Sequence, residues 1–417
     1  MRRNLIPAIA TTAVASLLVA CGGAGGPAAG GGKISDDKIV LGVLNDQTGI
    51  YAALSGPNAV EAVKMAVEDF KAEYGDDAVS KNIEVVVADH QNKPEIANTK
   101  AQEMYDRQKA DVILDVPTSS AALAVAGQAL AKKKLYINVT AATTELTGDK
   151  CNKYTFHYAY DTYMLANGTG TTVTQGGAKN WYIVYPDYAF GQDMEKSFSK
   201  AVESAGGKVV GKKASEFPNT SGDFSSQLLQ APAANPDVLG TMHAGGELVN
   251  LVKQYNQFKL KDKGVDLSVG LMFITDIHSL GPDALAGTKF TDAWYWNFDE
   301  QNRQWADRFK EKTGSRPSYA HAGNYSAAMQ YLKAIQESGT DDADAVVKNL
   351  EGKEINDFFL RNGKVRAEDH RVVHDVYLAE VKPKSEVKED YDYEKIVATI
   401  GADKAFKPVS ESTCKMG

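Results

Sequence analysis

Cysteine is scarce in this chain, with three among 417 residues, at positions 21, 151 and 414. There is no Cys-x-x-Cys pair and no G-x-S-x-G stretch, so neither a paired-thiol centre nor the nucleophile turn of an α/β hydrolase is written here. Positive charge is in deficit: 46 Lys and Arg stand against 54 Asp and Glu, a net −8. That balance speaks against nucleic acid, which is bound through clustered cations. A membrane-spanning run is missing as well. The apolar stretch Leu5 to Ala20 is interrupted by Thr11, Thr12 and Ser16 and is shorter than the roughly 20 residues a span needs. What remains, 43% hydrophobic and 24% charged, is ordinary globular material long enough for two domains.

Three partial catalytic motifs fail on inspection. "GGKVVGKK" (206 to 213) nearly spells a phosphate loop, yet Lys213 occupies the place of the magnesium-binding hydroxyl and the segment follows a helix. Ser197-Phe-Ser-Lys200 with Lys312-Thr313-Gly314 echoes serine β-lactamase elements, but no Ser-Asp-Asn accompanies them. His370 and His374 have zinc spacing only on a helix, whereas "RVVHDVYLAEV" alternates like a strand, so a solvated or capping role is expected for both. No metal, cofactor or enzymatic activity is therefore expected.

The N-terminus carries its own signal. Arg2 and Arg3 precede the apolar stretch in the layout of a secretory leader. Leu18-Val19-Ala20-Cys21 resembles the bacterial lipobox, which implies cleavage before Cys21 and lipidation of that cysteine. Residues 1 to 20 carry two arginines and no acid, so their loss takes the net charge from −8 to −10. Acyl chains add about 0.8 kcal/mol per buried methylene, so two or three of them hold firmly. Residues 21 to 36, opening "CGGAGGPAAGGGK", are expected to be a flexible tether. Cys151 and Cys414 are left either as one disulfide or as two buried thiols.

From Ile39 onward, short apolar runs alternate with longer amphipathic ones, the pattern of βα units and parallel sheets. "IVLGVL" reads as a strand; Val60, Val63, Val67, Phe70 and Tyr74 then recur at helical spacing. "IEVVVA", a helix opened by Pro94, "DVILDV", "SSAALAVAGQALAKKK" and "LYINV" continue the series. A second series follows Cys151: "WYIVY", a helix over 192–204, "KVVGKKA", a helix over 224–230, "DVLGTMHA", a helix over 247–258 and a strand "LMFIT". Two series of this length predict two α/β lobes. The boundaries are 37–158 for the first lobe, 159–296 for the second, 297–370 for a return to the first, and 371–417 for a late strand in the second and a loosely ordered or wrapping tail.

Two strand ends stand out. "DVILDV" runs into Pro117-Thr118-Ser119-Ser120 and a helix without an acid in its first turn, and "LYINV" ends in Thr140-Ala141-Ala142-Thr143-Thr144. Hydroxyls and free amides at a positive helix end suit an anionic group, and open α/β sheets bind beyond the carboxyl ends of their strands. Ser119 and Thr143 also suit ordinary helix caps, and from residues alone both readings stand.

From about residue 37 to 380 the chain resembles the leucine/isoleucine/valine-binding proteins, type I periplasmic binding proteins of ABC importers. "IVLGVLNDQTGIYAALSGPNAVEAVKMAVEDF", "VPTSSAALAVA", "TAATTELT", "YPDYAFGQDMEKSF", "FSSQLLQ" and "MFITDIHSLG" carry the likeness in that order. The resemblance implies two sheet-and-helix lobes joined by three crossings, a small carboxylate-bearing solute between them, and an ABC permease with a separate ATPase as partners of a monomer. It assigns Ser119 or Ser120, Ala141 and Thr143 to the ligand carboxylate, Tyr51 to the cleft mouth and Asp276 to a ligand ammonium, with a helix cap as the alternative for Asp276. Phe190 with Tyr188 nearby, and Ala244, replace aromatics of the leucine-binding pattern. "HYAYDTYMLANGTG", with Tyr158 and Tyr160, resembles a branch linked to aromatic acids. A ligand-sensing module for a signalling partner is the alternative on the same scaffold.

Overall fold

The computed structural model describes residues 34–75, 79 and 81–416. The leader, Cys21 and the glycine-rich stretch through residue 33 lie outside them. Ordered chain begins before the tether boundary at 36: Ile34 is buried, and the Ser35 amide donates to the Asp341 carboxylate at 3.0 Å.

β1 (Ile39–Asn45) is buried along its whole length, so its "IVLGVLN" run is apolar on both faces, as a central parallel strand requires. α1 (Gly56–Tyr74) buries Val60, Val63, Val67 and Phe70 on one stripe, each contributing about 1.5–3 kcal/mol. β2 (Ile83–Asp89), α2 (Pro94–Asp106), β3 (Val112–Asp115), α3 (Ser119–Lys132), β4 (Leu135–Asn138) and β5 (Thr155–His157) complete a parallel sheet of order β2-β1-β3-β4-β5. This is lobe 1.

The chain crosses at residues 158–161 into α4 (Thr162–Leu165) and α5 (Thr171–Gln175), joined by a π-helical turn at Ala166–Gly170. Lobe 2 follows: β6 (Asn180–Pro186), α6 (Ala189–Ser204), β7 (Lys208–Ser215), α7 (Ser225–Leu228), β8 (Val238–Thr241), α8 (Gly245–Gln257) and β9 (Asp266–Val269), with parallel sheet order β7-β6-β8-β9. "LMFIT" is not a strand: β9 stops at Val269 and α9 (Ile274–Leu280) begins inside the motif. The cause is local, because the Asp276 carboxylate accepts the Phe273 amide at 2.9 Å and fixes a helix start there. The helix expected over 224–230 is a single turn, since the next turn, with Pro232 in it, tightens to a 3₁₀ helix.

β10 (Lys289–Asp292) closes this segment, and the second crossing leads to α10 (Glu300–Thr313), α11 (Tyr319–Ser338) and α12 (Ala343–Leu350), which pack back onto α1 and lobe 1. β11 (Glu354–Ile355), β12 (Gly363–Val365) and β13 (Val372–Val373) form a small antiparallel sheet. The run "VVHDVYLAEV" is therefore two strands, β13 and β14 (Val376–Val381), broken where His374 bonds the carbonyls of Ala159 and Asp375 at 2.7 and 2.8 Å. His370 and His374 are fully buried, which corrects the solvated role expected for them. No group of three metal-ligating side chains exists among the described residues.

The tail departs from a loosely ordered one. β15 (Glu394–Ile400) pairs antiparallel with β14, in the sheet β10-β14-β15. The chain then wraps onto lobe 1, where Cys414 is disulfide-bonded to Cys151, 263 positions away. Arg371 sits where the crossings meet. Its guanidinium donates to Asp161 Oδ2 at 2.7 Å and to the carbonyls of His157 and Tyr158 at 2.6 and 3.1 Å, so the stretch that leads from β12 back to β14, the third crossing, is pinned to the first. Among the described residues no helix is long and apolar enough to cross a membrane.

Candidate functional site

Sheet order locates the site. In lobe 1, β1 lies between β2 and β3, and in lobe 2, β6 lies between β7 and β8, so each sheet has a switch point where helices leave to opposite faces. Beyond β3 the backbone is strained: Asp115 and Val116 have φ of 80° and 65°, a region that β-branched residues avoid. Asp115 holds the strain in place. Its buried carboxylate accepts Asn45 Nδ2 at 2.9 Å and the hydroxyls of Ser55 and Thr140. Burial pushes its pKa up, and the three hydrogen bonds pull it back. The consequence is a loop that delivers Pro117 and the start of α3 to the cleft.

The two lobes are shut on one another. Tyr51 of lobe 1 and Tyr188 of lobe 2 join hydroxyls at 2.7 Å, and the Gly246 amide donates to the Ile50 carbonyl at 3.0 Å. The Thr144 amide donates to Asp193 on α6 at 2.7 Å. Gly245 has φ 56°, and a Cβ there would stand 2.6 Å from the Ile50 carbonyl, so only glycine allows this approach.

Between the lobes lies a small cavity, partly open at the mouth, whose walls include Tyr51, Thr140, Tyr160, Tyr188, Phe190 and Phe273. Among the described residues, none that lines it is charged. Tyr160 packs edge-on against Phe273 and Tyr319, and those two rings stack at 4.6 Å. Its hydroxyl donates to the Thr140 carbonyl at 2.5 Å.

Tyr51, Tyr160, Tyr188, Phe190 and Ala244 of the sequence reading all reach this wall. Ser119, Ser120, Ala141, Thr143 and Asp276 are not lining residues, but each lies within three positions of one in sequence: Pro117, Thr140, Ala142 or Phe273. Ser119 is fully buried, and its hydroxyl has no hydrogen-bond partner among the described residues; it does not cap α3, whose first amides lack intrahelical acceptors. Ser120 is partly exposed. Thr143 does act as a cap, its hydroxyl accepting the Glu145 amide at 3.3 Å. The Ala141 carbonyl already accepts Asn138 Nδ2 at 2.7 Å.

Asp276 is the third residue of α9, not its N-cap, and reaches back to the Phe273 amide. Burial pushes its carboxyl up to about 7, against the pull of the Phe273 and Gly245 amides. Tyr158 faces away from the cavity: its hydroxyl bonds Ser326 at 2.8 Å. Leu54, Leu271 and Phe273 escaped sequence reasoning; reading "LMFIT" as a strand hid the last two, which sit in the turn before α9.

The profile described as "Periplasmic binding protein" matches residues 38–386. A periplasmic binding protein from Burkholderia mallei is 42% identical, with a TM-score of 0.87 over 91% of this chain and 99% of that one. A branched-chain amino acid ABC transporter periplasmic ligand-binding protein from Burkholderia xenovorans LB400 is 35% identical, with a TM-score of 0.80 over 91% and 100%. A solute-binding protein of an ABC transporter from Rhodopseudomonas palustris HaA2, solved with p-hydroxybenzoic acid, shares the fold at 24% identity, with a TM-score of 0.76 over 88% and 98%. The closed two-lobed cleft and these matches lead to one conclusion: the chain belongs to the periplasmic binding protein family, of the leucine/isoleucine/valine-binding type, and is an extracytoplasmic solute-binding protein of ABC importers, not an enzyme.

Proposed function

We propose that this protein captures a small aromatic carboxylic acid between its lobes and delivers it to a membrane permease driven by a separate ATPase, while lipidated Cys21 keeps it close to that permease. In this reading the ligand carboxylate meets the start of α3 and the loop after β4, through the amides and hydroxyls of Ser119, Ser120 and Thr143 and beside Ala141. The ring lies against Tyr160, Tyr188, Phe190 and Phe273. The observation that carries it is the pairing of an uncharged aromatic wall with a buried, unpartnered Ser119 hydroxyl at a helix N-terminus.

An amino acid fits less well. Its ammonium needs an anionic partner, and the Asp276 carboxyl is engaged by the Phe273 amide and pushed by burial up to about 7, toward its neutral form. The wall also offers Ala244 where the leucine-binding pattern has an aromatic ring. The p-hydroxybenzoic acid held by the Rhodopseudomonas palustris protein is a solute of the proposed chemistry on the same fold.

A thermal-shift panel tests the reading, with benzoate, 4-hydroxybenzoate and 4-hydroxycinnamate beside leucine, isoleucine and valine. A tight ligand at 100 times its Kd adds about 2.7 kcal/mol of stability. The ring acids are expected to raise Tm and the aliphatic amino acids to leave it unchanged. Stabilisation by leucine that Asp276→Asn removes would overturn the choice of ligand.

A further inference from the structure

Outside the cavity wall, at the mouth of the cleft, stands another aromatic ring. Phe217 belongs to the loop after β7 in lobe 2 and is half-buried, with Glu216 and Pro218 exposed on either side. Its ring lies face to face with that of Tyr188, centroids 3.7 Å apart and planes 16° from parallel. It also reaches Tyr51, with centroids 6.1 Å apart. Tyr51 and Tyr188 line the cavity and share the hydroxyl bond between the lobes, whereas Phe217 does not touch the cavity. From inside outward the sequence is cavity, tyrosine pair, Phe217, water.

The Phe217 loop has a fixed anchor. The Asn219 amide donates to Glu247 Oε1 at 2.7 Å, and Glu247 is buried in the first turn of α8. The same turn carries Gly246, whose amide reaches the Ile50 carbonyl of lobe 1 at 3.0 Å. One helix start therefore holds both the Phe217 loop and the Tyr51 turn. Glu247 Oε2 is buried without a partner among the described residues, and burial pushes the carboxyl up to about 7 while the Asn219 amide pulls it down. Neutral or ionised, Oε1 keeps a lone pair for that amide.

We propose that Phe217, held by Glu247 through Asn219, is a latch on the closed cleft that sets how long a solute stays bound without touching it. Opening carries Tyr188 and Phe217 away together with lobe 2, so Tyr51 loses its hydroxyl partner and its outer ring contact at once. While the cleft is shut, Phe217 also backs the Tyr188 ring, aims its hydroxyl at Tyr51 and limits the water that would compete for that bond. Entry takes place with the lobes apart and does not involve these contacts. The latch is a positioning device for release, and it rests on the proposed binding of a solute in this cleft.

Stopped-flow fluorescence with 4-hydroxybenzoate as the probe separates the two rates. Loss of an aromatic contact of this kind predicts that Phe217→Ala dissociates about tenfold faster, with association within about twofold of wild type. Phe217→Tyr is expected to restore wild-type dissociation. Glu247→Ala should speed dissociation in the same direction, and Glu247→Gln, which keeps an acceptor for Asn219, should not. Phe217→Leu keeps the apolar bulk and loses the stack, so it serves if the alanine variant folds poorly, with faster release again expected. Unchanged dissociation in these Phe217 variants, or a loss confined to association, overturns the latch. If wild type binds no acid of the panel, the ligand reading fails by itself, and the latch is then read from small-angle scattering without solute. A larger radius of gyration for Phe217→Ala than for wild type supports it, and identical curves overturn it.

Discussion

Lobe 1 and lobe 2 meet the cavity with different chemistry. Lobe 1 brings the strand ends Pro117, Thr140 and Ala142, near Ser119 and Thr143 in sequence, together with Tyr51 and Leu54 from the turn before α1; lobe 2 brings Tyr188, Phe190, Ala244, Leu271 and Phe273. The lobe 1 face is rigid by construction, since Asp115, Asn45, Ser55 and Thr140 lock the strained turn after β3. The lobe 2 face is built from residues just before or at the starts of α6, α8 and α9, where side chains change without disturbing a sheet. The division teaches that one half of the cleft is suited to recognising a charge and the other to recognising a shape.

The largest way to break this comparison is to uncouple the lobes. Arg371→Met leaves Asp161 as a buried carboxylate without its 2.7 Å partner, so stability is expected to fall by about 3–5 kcal/mol in chemical denaturation. Next in size, Ser119→Ala and Thr143→Ala should each weaken a ring acid in calorimetry by about 10–100-fold, since a hydrogen bond to a charged group contributes about 1.5–3 kcal/mol. The neutral amide of the same acid should bind poorly to wild type and variants alike. Phe273→Leu, on the opposite face, should cost a ring acid about 2–10-fold and spare no ring-bearing analogue, whether acid or amide, because an aromatic pair contributes about 0.5–1.5 kcal/mol.

The smallest effect is on pH. Asp276 binds a proton up to about pH 7 in the folded chain against 3.8 as its ordinary value, so the folded state holds the extra proton between them. Stability from this group therefore falls as pH rises through that window and stays low above it. Asp276→Asn keeps an acceptor for the Phe273 amide and removes the charge, so it should flatten the window and raise Tm at pH 8 by about 2–4 °C.

The strand-end loops of lobe 1 were legible in the sequence, because motifs such as "VPTSS" and "TAATTELT" are contiguous and follow clear apolar strands, but Pro117, Thr140 and Ala142 line the cavity and Ser119, Ser120, Ala141 and Thr143 do not. The βα order and the two lobes were legible for the same reason: burial periodicity survives in one dimension. Lobe 2 was less so. Phe273 and Leu271 lie in a run as apolar as any strand, and only the reach of Asp276 back to the Phe273 amide turns it into a helix start. Phe217 had no signal at all, since its role depends on rings 29 and 166 positions away. Of the two tails expected, loosely ordered or wrapping, the structure has the wrapping one; Lys382 to Lys395 is rich in charge, yet β15 needs only one buried residue in seven to pair with β14. Histidines 370 and 374 misled, as alternation does not reveal that His370 stacks on Phe156 or that His374 bonds the Ala159 and Asp375 carbonyls.

The central claim is that lobe 1 holds the carboxylate and lobe 2 the ring. A crystal structure with 4-hydroxybenzoate, or whichever panel acid binds tightest, tests it most directly. The account predicts the carboxylate within hydrogen-bond distance of the Ser119 and Thr143 groups and the ring against Tyr188 and Phe273. A carboxylate turned toward lobe 2, or a solute lodged outside the interlobe cavity, would contradict it.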